Sequence, residues 1–113
     1  MPTREQERAQ RAYAKVSAHQ NTGEEAEYKR FSKSFPALLH TCGLAQAIAY
    51  GQAKAQQSYM SDLAYVVGQA NVEELARAAR EAPLPLYQKH SRDTLAAATW
   101  LKRYAEALLK GDD

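Results

Sequence analysis

The chain reads as all-α: a single domain of about five to seven helices that ends in a long C-terminal helix. Three observations lead there. Alanine is abundant, while glycine and proline number only 5 and 4 in 113 residues, a balance that favours helix over strand or disorder. Residues able to cap a helix stand three ahead of Gln or Glu at Thr3/Gln6, Thr22/Glu25 and Asn71/Glu74. Between these signals apolar residues recur at about 3.6-residue spacing. The length suits one core and is short for two, so residues 1–113 are read as one domain, with 111–113 as a frayed tail.

Taken in order, Thr3 with Gln6 opens a first helix that keeps Ala9, Ala12, Tyr13 and Val16 on one side. His19 to Gly23 is a polar break. Thr22 with Glu25 opens a short charged helix through Ala26, Tyr28, Lys29, Arg30 and Phe31. Ser34 then caps a third helix with Pro36 in its first turn, where a missing N–H costs nothing. Along it Ala37, Thr41, Leu44, Ile48 and Ala55 recur, and Leu38, Ala45 and Ala49 widen the apolar arc, as suits a central helix. Gly43 lies inside this pattern, where it either permits a close helix crossing or marks a break.

Ser58 to Gly68 forms a shorter helix through Tyr59, Leu63, Val66 and Val67, with Gly68 as its stop. Asn71 with Glu74 opens Val72 to Glu81. Pro83-Leu84-Pro85 ends that helix, because each proline disfavours α conformation in the residue before it. The last helix then starts near Leu86 or Ser91 and runs to about Leu109. Its apolar stripe is Ala97, Trp100, Leu101, Tyr104, Ala105 and Leu108, and Gly111 ends it.

The composition excludes several functional classes. The single cysteine, Cys42, leaves no partner for an intramolecular disulfide, and Met1-Pro2-Thr3-Arg4-Glu5 lacks a signal-peptide core, so the expected compartment is cytoplasmic. Residues 36–53 carry no Lys, Arg, Asp or Glu, but His40, Thr41, Gln46, Gln52 and two glycines interrupt the stretch, and it reads as a buried helix rather than a membrane span. His19, His40 and His90 are scattered, and His40 and Cys42 point apart on a continuous helix, so no metal site is expected. Cys42 is expected to pack as a small apolar side chain, inert as a nucleophile. Glu24, Glu25, Glu27, Glu73 and Glu74 fall in first helical turns, where anions complement the dipole. No phosphate-binding glycine loop is present. No catalytic residue, cofactor or metal is therefore expected.

The cations carry more information. The net charge is only +2 and the sequence pI near 8.7, yet Arg4, Arg8, Arg11 and Lys15 fall along one face of the first helix, beside its apolar arc. Lys89, Arg92, Arg103 and Lys110 form a second line on the last helix. Either stripe suits a phosphate backbone. The plainer reading is a solvated face held by pairs such as Glu7 with Arg11 or Glu106 with Lys110. Of the seven tyrosines, Tyr13, Tyr65 and Tyr104 are read as core residues, and Tyr59 and Tyr87 as candidates for a partner surface.

Three stretches carry a resemblance: Arg4-x-Gln6 through Ala12-Tyr13-x-x-Val16; Phe35-Pro36-Ala37-Leu38-Leu39-x-x-x-Gly43-Leu44-x-Gln46-x-x-Ala49-Tyr50; and Tyr87 through Trp100-Leu101-Lys102-Arg103-Tyr104-Ala105. In order, spacing and length the chain resembles the small α-helical subunit of the type III-B CRISPR effector, the Cmr complex. Cys42 before the glycine and Asp93 in place of a common glutamate depart from the pattern. The resemblance implies a non-catalytic structural subunit in antiviral defence, present in several copies as an inner filament. Its implied partners are further copies of itself, other complex subunits (especially the repeating backbone subunit), guide RNA and target RNA, with no membrane. The eight cations named above are the candidate RNA contacts. The competing class is a free-standing helical nucleic-acid-binding or adaptor protein, against which no helix-turn-helix pair is evident.

Overall fold

The computed structural model describes residues 2–54 and 57–111. Six helices are found there: α1 (Arg4–Ser17), α2 (Glu25–Cys42), α3 (Leu44–Ala53), α4 (Gln57–Val67), α5 (Val72–Glu81) and α6 (Leu84–Leu108). No strand occurs among the described residues. The longest helix, α6, lies across α2 and α1 and also touches α3, α4 and α5. One core results, filled by Val16, Phe35, Leu44, Ile48, Tyr59, Met60, Leu63, Leu75 and Leu101.

Where local chemistry is decisive, elements begin and end as the caps predict. The Thr3 hydroxyl accepts from the Gln6 N–H while the Gln6 side chain accepts from Thr3, a complete capping box. Asn71 accepts from the Glu74 N–H to open α5. Gly68 at φ 104° ends α4, with the N–H groups of Gly68 and Gln69 both returning to the Ala64 carbonyl.

The segment after the first break differs from its prediction. The expected short second helix and the front half of the expected central helix are one helix, α2, with Pro36 in its interior. Ser34 caps nothing: its hydroxyl donates to the Phe31 carbonyl one turn back. Continuity puts Tyr28, Phe31 and Phe35 on one face. Phe31 and Phe35 lie 5.4 Å apart, and both meet the buried Tyr59 ring edge-on at 5.0 and 5.3 Å. Aromatic contacts of this kind offset the hydrogen bond that an interior proline removes.

The break falls instead at Gly43, whose φ 83° and ψ 167° are open almost only to glycine. Its alternatives are thereby decided. Beyond it, Leu44 and Ile48 are buried, while Ala37 and Thr41, expected on the same line, are exposed on α2; Ala55 lies outside the described residues. Cys42, expected to be packed, is exposed because it is the last residue of α2, directly before the break. At Gly51 the helices α3 and α4 approach so closely that a Cβ would collide with the Met60 sulfur.

Two other boundaries move. Pro83 caps α6 and Pro85 sits within its first turn, so the helix starts at Leu84 rather than at Leu86 or Ser91. Thr22 donates to the His19 carbonyl, and the expected second capping box is absent: the cap position is Glu24, without a side-chain bond. Glu25 is buried and its carboxylate accepts from the N–H of Asn21 at 3.2 Å and of Lys110 at 2.9 Å. That clamp ties the C-terminal segment to the start of α2.

Candidate nucleic-acid interface

The expected stripe on α1 exists, but it does not simply face water. Arg8 is only 13% exposed at its side chain, and its guanidinium donates to Asp93 Oδ1 on α6 at 2.9 Å. Lys89, one turn before Asp93, donates to Oδ2 at 2.9 Å. Burial alone pushes the Asp93 carboxyl up, but the hydrogen bond and charge of Lys89, then the charges of Arg8 and Arg4, hold it below the usual carboxylate range.

Arg11 reaches α4 instead of Glu7. Its guanidinium donates to the Tyr65 carbonyl at 3.1 Å and lies 5.3 Å from the centre of the Tyr65 ring. It thereby serves a carbonyl in the last turn of α4, the negative end of that helix. The Lys15 ammonium lies over the same ring at 4.6 Å.

The consequence for the charge distribution is a depression of about 280 Å³ between α1, α4 and α6, lined by Arg4, Arg8, Arg11 and Lys89 together with Glu7 and Asp93. Four cations face two carboxylates. The depression keeps a positive excess, and Arg4 is exposed without an ion pair among the described residues.

The second stripe is shorter than expected. Lys89, Arg92 and Arg103 share one side of α6, but the helix ends at Leu108 and Lys110 lies beyond it, held through its backbone by Glu25. Arg103 faces Glu106 at 3.8 Å, and Glu106 therefore pairs within α6 and not with Lys110. Arg92 is exposed. The stripes are not two separate faces, since Lys89 joins the α1 cations around Asp93.

The aromatic assignments change as well. Tyr59 is fully buried and its ring is part of the core, while Tyr13 and Tyr65 are 51% and 44% exposed. Tyr87 is half-buried, its hydroxyl 3.4 Å from the Ala45 nitrogen. Trp100 lies at the α1–α6 rim: its indole N–H donates to Glu5 at 2.6 Å and its ring stacks on Tyr104, which meets Tyr13 edge-on at 5.5 Å. His19 stacks on Tyr28 and shares Asp62 with the Tyr28 hydroxyl, at 2.9 and 2.7 Å. Among the described residues no three His, Cys, Asp or Glu side chains converge as metal ligands, and no helix is long and apolar enough to cross a membrane.

A family model described as CRISPR-associated protein (Cas_Cmr5) matches residues 4–108. The chain belongs to the Cmr5 family. It is 40% identical to the CRISPR system Cmr subunit Cmr5 of Thermus thermophilus, across 97% of this chain and 99% of that protein. The crystal structure of a CRISPR-associated Cmr5 family protein from Thermus thermophilus superposes with a TM-score of 0.92 at 40% identity, covering 96% of this chain and all of that one.

Seen as Cmr5-family features, the motif residues divide by role. Phe35, Leu39, Leu44, Leu101 and Ala105 are core. Trp100, Tyr104 and Arg103 stand at the surface rim. Asp93, singled out in the sequence only as a departure from the family pattern, is the residue that draws both stripes together. Its i, i+4 spacing from Lys89 was the available signal.

Proposed function

We propose that the chain is a non-catalytic structural subunit of the type III-B CRISPR ribonucleoprotein, the Cmr complex, working in the cytoplasm in antiviral defence. Several copies form an inner filament beside the repeating backbone subunit and line the channel in which guide RNA pairs with target RNA. One observation carries this reading: the full-length likeness to a Cmr subunit, in a chain whose cations gather in one depression. Base pairing supplies sequence specificity in such a complex, so its lining needs contacts to phosphate and shape rather than base readers. Arg4, Arg11 and Lys89 meet phosphates from the depression, and Lys15, Arg92, Arg103 and Lys110 extend the positive surface around it. Arg8 contributes mainly by holding Asp93.

Two measurements test the proposal. Native mass spectrometry of the assembly purified from its host should find several copies together with short guide RNA; a lone dimer on duplex DNA would overturn it in favour of a free-standing adaptor. In the assembled complex, replacing Arg4→Gln and Lys89→Gln together should flatten the salt dependence of target RNA binding, by about 0.7 in slope per lost contact for a single strand. An unchanged slope removes the depression from the RNA path.

A further inference from the structure

Adjoining the cationic depression is a hollow of about 470 Å³ on α6, with Leu95, Ala96 and Thr99 as floor, Trp100 as wall, and Arg92, Arg103 and the Glu5 carboxylate of α1 also lining it. The Trp100 ring is held on two sides. Its N–H is taken by Glu5 at 2.6 Å, and Tyr104, which does not line the hollow, stacks on it at 5.8 Å and 23°. The Thr99 hydroxyl is turned back to the Leu95 carbonyl at 2.8 Å, which leaves the floor largely apolar. A flat ligand with anionic groups beside it fits a flat aromatic wall flanked by two guanidinium groups.

The hollow and the depression have no lining residue in common, but one ion pair links their rims. Glu5, which fixes Trp100, also faces Arg8 at 3.7 Å, and Arg8 lines the depression. The two features are neighbours, and the hollow lies within reach of a strand whose phosphates lie over Arg4, Arg11 and Lys89. An indole beside two guanidinium groups, a stacking surface next to phosphate-binding cations, favours nucleic acid over an acidic protein segment. A base inside an A-form duplex is stacked on both faces and cannot enter, whereas an unpaired base can. We infer that the Trp100 hollow takes an unpaired nucleobase and gives this chain a preference for single-stranded over duplex RNA. The inference rests on the reading of the depression as an RNA contact.

Trp100 is the only tryptophan in the chain, so its fluorescence reports on the hollow directly. Full-length protein at low salt is titrated with a short oligoadenylate, with an RNA duplex of the same length, and with a poly-glutamate peptide. The oligoadenylate should quench Trp100 and bind about tenfold tighter than the duplex, which should bind without quenching. Ala96→Leu, which fills the floor without changing charge, should abolish both the quench and the preference while leaving the salt slope intact. Arg92→Gln with Arg103→Gln should weaken the quench if Ala96→Leu misfolds. Equal quenching by strand and duplex, or salt-dependent binding of both with no quench, overturns the inference and leaves the depression standing. Quenching by the peptide alone reassigns the hollow to a protein partner. Absence of any RNA binding overturns the inference, while the salt slope of the assembled complex decides the depression separately.

Discussion

Asp93 on α6 accepts a 2.9 Å hydrogen bond from Arg8 on α1, two residues 85 positions apart in the chain. Its other oxygen holds Lys89 at 2.9 Å. This carboxylate joins the first and last helices and stands in the field of three cations, Arg8, Lys89 and Arg4.

Because its neighbours hold Asp93 below the usual carboxylate range, the folded chain binds its proton less readily than the unfolded chain, whose value is about 3.9. Its contribution to stability is complete above that value and is lost as pH falls through the lower folded value. Unfolding midpoints should decline in acid below about pH 4. Asp93→Asn should cost about 1–3 kcal/mol at neutral pH and show a shallower acid decline. Thermal melts across the acid range check this, and an acid limb matching the parent chain would refute it.

Two buried tyrosines should respond in opposite directions. The Tyr59 hydroxyl is fully buried with no hydrogen-bond partner among the described residues, whereas Tyr28 donates to Asp62 at 2.7 Å. Burial first, and then Asp62, pushes the ionisation of both hydroxyls far up, so each stays neutral. Tyr59→Phe should leave stability unchanged or raise it by up to about 1 kcal/mol, while Tyr28→Phe should lower it by about 1–2 kcal/mol. Urea unfolding of the pair decides; equal losses would count against the argument.

At Gly43 an added Cβ would meet only the Tyr87 hydroxyl, at an ordinary 3.7 Å. Any cost of Gly43→Ala must therefore come from the backbone, whose conformation is open almost only to glycine. A loss of about 1–3 kcal/mol is expected in denaturant titration. A shift within about 0.5 kcal/mol, the range of an ordinary surface change, would show that the α2–α3 break can be rebuilt by other residues.

Cys42 should react with a maleimide in the native protein, without denaturant, since it is exposed at the end of α2. The labelled protein should melt within about 1 °C of the parent, as expected for a surface site carrying little stability. Protection until unfolding would mean that the thiol is packed.

Legibility followed range. The Thr3 and Asn71 caps, the Gly68 stop and the body of α6 were readable because each depends on groups within one or two turns. Ser34 and Pro36 carry the local signals of a helix start, yet both lie inside α2. Tyr28, Phe31 and Phe35 override them by packing on Tyr59, a partner two helices away that no short window contains. Tyrosine exposure is set at the same long range: Tyr13 and Tyr59 both lie on apolar patterns, and only the crossing of helices separates them.

By itself, the sequence determined an all-α chain, the bounds of α1, α4 and α5, the family, and which cations could share a helix face. These follow from backbone propensity, capping and periodic spacing. The tertiary structure alone decided that Arg4, Arg8, Arg11 and Lys89 converge, that Lys110 leaves its stripe, and that Trp100 stands beside them at a surface hollow. Those relations depend on how α1, α4 and α6 cross. The crossing is set by the shared core and, between α1 and α6, by one carboxylate, Asp93, which accepts from Arg8 and Lys89.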